Sequence, residues 1–198
     1  MSSPSAPTAT AVVDAPAGNT ALRNLYFVRF GFAIVWAVLT AMLATTVAPA
    51  AVALLVIYPL FDVAAAVIDF RSSGSIRPRV PLYINMVVSL PAAVGLGFAA
   101  ASGIPAVLRV WGVWAVAAGI VQLIVALLRY RLGGQWAMIL SGGISVFAGG
   151  GFIMMAGASN ASLTALAGYA TLGGIFFLIS AIRLHLRRPE GEAVPLSR

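Results

Sequence analysis

Four polar side chains stand inside otherwise apolar stretches of the chain: Arg29, Asp62, Asn85 and Gln122. A carboxylate buried beside a guanidinium can be a fixed ion pair, a proton carrier or half of a ligand site, and nearby amides supply both donors and acceptors. Asp62 lies about eight residues from one end of its apolar segment, and Arg29 lies a few residues in from the same side of the preceding one. Segments joined by a short turn are antiparallel neighbours, so the two charges are expected to meet at similar depth. A charge at the bilayer centre costs about 2.5 to 3.5 kcal/mol on the insertion scale. The ten Leu, Ile, Val or Phe residues of 50–69 offset this with about 3 to 6 kcal/mol in total. Asp62 is therefore expected to be paired, protonated or facing a cavity.

Pro59 and Pro91 each remove one helical hydrogen bond, to the carbonyls of Leu55 and Val87. Two kinks at similar depth are expected to open a cavity beside Asp62, Asn85 and Gln122. Three readings stay open: a structural ion pair with Arg29 snorkelling to the interface, a proton or ligand site, or a misplaced helix boundary. Asp69 and Arg109 stand near segment ends and are expected to reach water, while Trp111 and Trp114 read as packing or interfacial residues.

Other chemistries find few residues to carry them. The absence of cysteine excludes disulfides, thiolate metal sites and Cys nucleophiles. The one histidine, His185, lies beyond the last apolar run, so no serine within the runs has a histidine base within reach. Gly149-Gly150-Gly151 lacks the preceding strand and following lysine of a phosphate loop, and there is no HExxH and no acid cluster suited to a metal. The expectation is a non-enzymatic protein with no cofactor and no metal.

The elements that must position Arg29 and Asp62 follow from composition. Of 198 residues, 61% are hydrophobic and 9% charged, with a mean hydropathy of +1.01, which excludes a soluble domain. Six apolar segments, near 25–47, 50–69, 81–101, 105–128, 136–156 and 162–183, are each close to the roughly 20 residues that a helix needs to cross a bilayer. Each is expected to be helical, because in lipid every backbone polar group must be satisfied within its own segment. The predicted fold class is an all-α integral membrane protein, six transmembrane helices as three repeated antiparallel hairpins at about 25–69, 81–128 and 136–183. The predicted six-helix membrane domain spans 22–188. Residues 1–21, rich in Ser, Pro, Ala and Thr, are expected to form a disordered cytoplasmic tail, and 189–198 a second tail.

All 12 basic residues are arginine, against 5 acids. They stand at the ends of apolar runs rather than in one patch, which fits membrane topology and not nucleic acid. The breaks after the first, third and fifth segments are uncharged, whereas those after the second and fourth hold Arg71, Arg77, Arg79, Arg129 and Arg131. The positive-inside rule then places these arginines and both termini in the cytoplasm. Tyr26, Phe70, Tyr83, Tyr130 and Trp136 fall at the same interface. Arginine in place of lysine, with abundant Ala and Gly, fits a GC-rich bacterial genome.

Ser141, Ser145 and Gly149 recur at four-residue spacing on the fifth segment, as Ala115 and Gly119 do on the fourth. Small residues let helix backbones approach closely, for packing inside the chain or for a homo-oligomer. A shift of 55 residues lays Leu108 on Leu163, Trp114 on Tyr169 and Gly119 on Gly174, and a shift of 56 lays Tyr58 on Trp114. Trp136, the glycines at 142, 143, 149 and 150, and Gly168-Tyr169 followed by Gly173-Gly174-Ile175 resemble the repeat of the HdeD-like acid-resistance membrane proteins. The resemblance is clearest over 107–183. It implies a six-helix bacterial inner-membrane protein built from short membrane repeats, associated with acid or envelope stress. Pro49 and Pro105 match the family's outer-turn proline, whereas the third turn has none. The alternative is a small proton-coupled transporter or channel using Asp62 with Arg29 as counter-ion. The partner expected in either case is the lipid bilayer; the residues name no small-molecule ligand.

Overall fold

The computed structural model describes residues 16–44, 46–72, 79–128, 130 and 136–186. Arg77, Arg129, Arg131, Arg187, Arg188, residues 1–15 and the tail 189–198 lie outside the described residues. Six helices follow one another: α1 (Pro16–Leu43), α2 (Pro49–Ser72), α3 (Val80–Ala100), α4 (Ile104–Leu128), α5 (Trp136–Met155) and α6 (Thr164–Leu186). Each contains a stretch long and apolar enough to cross a membrane, and the described residues include no strand. The chain is thus an all-α, six-span membrane protein.

Local signals set the helix ends at the uncharged turns. Pro49 opens α2 and Pro105 stands one residue inside α4, where a missing N–H costs nothing. Gly103 closes the α3–α4 turn at φ 88°, a left-handed backbone that glycine adopts without strain. In the third turn Ser162 supplies the cap that proline does not, its Oγ accepting the Thr164 N–H at 3.2 Å.

The N-terminal boundary differs from the sequence expectation. Helix α1 begins at Pro16, so residues 16–21 are helical rather than tail. Extending an existing helix costs far less than nucleating one, and the extension is anchored, because Leu22 and Leu25 are buried. Arg23 also donates to His185 Nδ1 of α6 at 3.2 Å. A hydropathy window sees the membrane and not the helix that projects from it.

The six helices form a closed ring in chain order, with α6 returning against α1. Antiparallel hairpins are present, yet the tightest pairs are α4–α5, α1–α6 and α2–α3, not the partners joined by uncharged turns. The thinnest contact is between α5 and α6. Large apolar side chains cover the outside, Phe98, Phe147 and Met154 being 77%, 84% and 81% exposed, as an acyl-chain environment allows.

Glycine explains the tightness of α4–α5. A Cβ on Gly112 would stand 2.6 Å from the Gly149 carbonyl oxygen, and one on Gly149 would stand 2.6 Å from that of Gly112. Gly119 and Gly142 form the same reciprocal pair, at 2.7 and 3.0 Å. Of the expected small-residue faces, Gly119, Gly149 and Ser145 therefore serve this contact within the chain, and Ala115 is buried on the same helix. Ser141 instead lines the interior cavity. Gly112 and Gly142 complete the contact, each seven residues from its helix mate and thus on the same helical face.

Inside the ring, the half nearest the uncharged turns is solid. Trp36, Leu55, Leu96, Leu108, Trp111, Leu163 and Leu166 are all at most 1% exposed. Each lies within seven residues of a helix end at those turns, or about 10 Å. Trp36 stacks on Trp111 with centroids 5.3 Å apart, and Tyr58 meets both rings. The opposite end carries the described aromatic belt, where Arg79 lies over Phe70 and Arg183 over Trp136.

Candidate functional site

Below this aromatic plug, towards the arginine-bearing helix ends, the ring encloses a cavity of about 500 Å³ to which all six helices contribute. The lining follows helical periodicity: Tyr58, Asp62 and Ala66 on α2, Trp114, Ala118, Val121 and Gln122 on α4, Tyr169, Gly173 and Phe176 on α6. Recurrence at three, four and seven residues gives each helix one inward stripe. Pro81, Ala137 and Arg183 also line the cavity, so it reaches the arginine-bearing ends of α3, α5 and α6.

The buried charges meet there. Arg29 stands 14 residues before the end of α1 and Asp62 13 residues after the start of α2, which places both about 20 Å from the shared turn. The guanidinium Nη2 donates to Asp62 Oδ1, and the two side chains are only 15% and 17% exposed. The other oxygen, Oδ2, accepts from Asn85 Nδ2 at 2.7 Å and from Ser89 Oγ at 3.0 Å. Trp114 Nε1 in turn donates to Ser89 Oγ at 3.1 Å. The ring face of Phe177 lies 4.4 Å from the Arg29 guanidinium carbon, a favourable cation–π arrangement. Helices α1 and α3 thus bind the carboxylate of α2 directly, while α4 and α6 support Ser89 and Arg29 behind it.

Arg29, Asp62 and Asn85 come together as their spacing predicts. Gln122 lines the same cavity without joining the hydrogen-bonded network. Ser89 and Phe177 were not singled out from the sequence. Ser89 carried a readable signal, since it follows Asn85 by four residues and must share its helical face. Trp111 does pack, as expected, whereas Trp114 packs and also donates into the site. Asp69 differs from expectation: at 9% exposure it is buried rather than in water, while Arg109 is exposed. Pro59 is buried and Pro91 exposed, and neither of the two prolines expected to open the cavity borders it.

A second polar bridge joins the thin seam, where Ser145 Oγ and Tyr169 OH lie 3.0 Å apart. In the plug, Trp36 Nε1 donates to the Leu54 carbonyl at 2.6 Å. Thr40 Oγ1 and Trp111 Nε1 are buried with no partner among the described residues. No group of three His, Cys, Asp or Glu side chains is assembled among the described residues.

The site has room for a small molecule beside its charged pair. It offers a cavity within the 300–1,000 Å³ typical of small-ligand pockets, one carboxylate hydrogen-bonded on both oxygens, and a guanidinium with donors to spare. It also has an apolar wall of Val121, Ile144 and Leu172. Comparison with protein families, with curated proteins and with solved structures yields no match, and the likeness to the HdeD-like repeat rests on the residues alone.

Proposed function

We propose that this is a non-enzymatic, solute-binding protein of a bacterial inner membrane, with both termini in the cytoplasm. In this reading it moves its ligand in step with a proton on Asp62, Arg29 being the counter-ion. The observation that carries the reading is the cavity itself: all six helices line it, its charged pair sits at mid-depth, and it reaches one end only. A purely structural ion pair would need no surrounding space. The plug of Trp36, Tyr58, Trp111 and Trp114 would then be the closed gate. Two unpartnered polar atoms within it each cost about 1 to 3 kcal/mol, as befits packing that must also come apart. Arg71, Arg79 and Arg183, at the end to which the cavity reaches, support this orientation.

The test is flux in liposomes. Wild-type protein should acidify or alkalinise the lumen when a pH gradient is imposed with candidate solutes, and Asp62→Asn should stop this while remaining monodisperse by gel filtration. Equal silence of both proteins over a broad solute panel would end the transport reading. Cysteines placed at Ala158 and Arg79 test orientation, since only the former should react with an impermeant maleimide added to whole cells.

An HdeD-like role in acid or envelope stress is the second reading. What favours it is that the resembling glycines, Gly142 and Gly149, are those on which α4–α5 packing depends. A common ancestry of three hairpins is part of the same proposal. It draws support from Tyr58, Trp114 and Tyr169, which align by repeat and all face the cavity. Unchanged survival of a deletion strain at low pH would remove this role.

A further inference from the structure

We infer that the ligand of this cavity is an amphiphilic monoanion, a carboxylate on a single apolar chain, which reaches Arg29 from the bilayer through the seam between α5 and α6. The inference rests on the solute-binding reading of the same site and gives that site a substrate class.

Charge sets the headgroup. The charged residues of the lining are Arg29, Arg183 and Asp62, two cations against one anion. Asp62 is already satisfied on both oxygens by Arg29, Asn85 and Ser89, so it offers little to a cationic ligand. Arg29 is in the opposite state. A guanidinium carries five N–H donors in its plane, and its hydrogen bond to Asp62 uses one nitrogen. Phe177 lies against its face, which leaves the edge for a planar carboxylate. A second cation, Arg183, borders the same cavity at its arginine-bearing end.

The walls set the rest of the molecule. Helices α5 and α6 make the thinnest contact in the ring. They touch near the plug through Ser145–Tyr169 and at the arginine-bearing end through Arg183 over Trp136. Between these two contacts, Met138, Ser141 and Ile144 of α5 and Leu172, Gly173 and Phe176 of α6 line the cavity. A slot of apolar and small residues facing acyl chains suits a chain that remains partly in the membrane while its carboxylate enters. A small hydrophilic anion would have no use for this wall.

Binding is measured apart from flux, on full-length protein in nanodiscs carrying Trp136→Phe. The remaining tryptophans, Trp36, Trp111 and Trp114, then all lie in the plug or at the cavity. Titration with 9,10-dibromostearate should quench their fluorescence saturably. Its uncharged methyl ester should bind roughly tenfold to a hundredfold more weakly, the range for losing a charge-assisted hydrogen bond. Arg29→Gln with Asp62→Asn should lose that acid-over-ester preference. Gly173→Leu should weaken acid binding without touching the charges, since a Cβ there meets only the Tyr58 hydroxyl, at 3.9 Å. Palmitate should displace the probe, whereas acetate and inorganic phosphate should not.

Equal quenching by acid and ester, or full binding in both variants, would overturn the inference. Displacement by acetate or phosphate at the potency of palmitate would point to a soluble anion and overturn the membrane route. Acid-selective binding without flux removes only the transport reading, and flux without acid-selective binding removes only this ligand class.

Discussion

Replacing Asp62 should destabilise the protein far more than replacing Asp62 and Arg29 together. Asp62→Ala leaves a guanidinium at mid-depth without its counter-ion, in a side chain only 15% exposed. Breaking a buried pair from one side costs about 3 to 5 kcal/mol. Asn85 and Ser89 lose their acceptor as well, although Ser89 keeps Trp114. One effect opposes the loss, snorkelling of Arg29 towards the arginine-bearing end; the contact with Phe177 is present before and after the change and leaves the difference as it is. The net expectation is about 3 kcal/mol, or a fall in midpoint of about 10 °C for a chain of this size. Arg29→Gln with Asp62→Asn removes both charges and keeps side chains able to hydrogen-bond. The assay is thermal unfolding in one detergent, followed by tryptophan fluorescence, on wild type, the two single variants Arg29→Gln and Asp62→Asn, their double, and Asp62→Ala. The cycle should show a coupling of about 1 to 3 kcal/mol. Additivity within about 0.3 kcal/mol would refute the claim that the two charges hold one another.

Two further outcomes follow from the packing. Gly149→Val should destabilise by about 1 to 3 kcal/mol, because its Cβ would stand 2.6 Å from a backbone oxygen. Gly143→Val, where a Cβ meets nothing within 4 Å, should be near neutral in the same melt, and equal effects would refute the α4–α5 assignment. Thr40→Val removes a buried hydroxyl that has no partner among the described residues while conserving shape. It should stabilise by up to about 1 kcal/mol, and a loss above about 1 kcal/mol would show that the hydroxyl is satisfied in the membrane.

The six spans were legible from sequence because hydrophobic length is a local property: lipid leaves a segment of about 20 apolar residues one way to satisfy its backbone. The Arg29–Asp62 pairing was legible for a related reason, since a short turn fixes the register of adjacent helices and a buried charge demands a partner. The turn caps at Pro49, Gly103 and Pro105 are likewise local. Ring closure was not legible. That α1 lies against α6, that α4–α5 outpacks the hairpins and that α5–α6 is thin depend on which faces meet. With Ala, Gly, Val and Leu on every side of each helix, periodicity distinguishes those faces poorly. Ser89 and Phe177 belong to the site for that reason: each is ordinary in its own helix and acquires a role from the helix opposite. Sequence alone determined the membrane, the number of spans and the charges that must be answered. The tertiary structure decided what answers them, because only the closed ring brings Asn85, Ser89, Trp114 and Phe177 around one ion pair and leaves a cavity beside it.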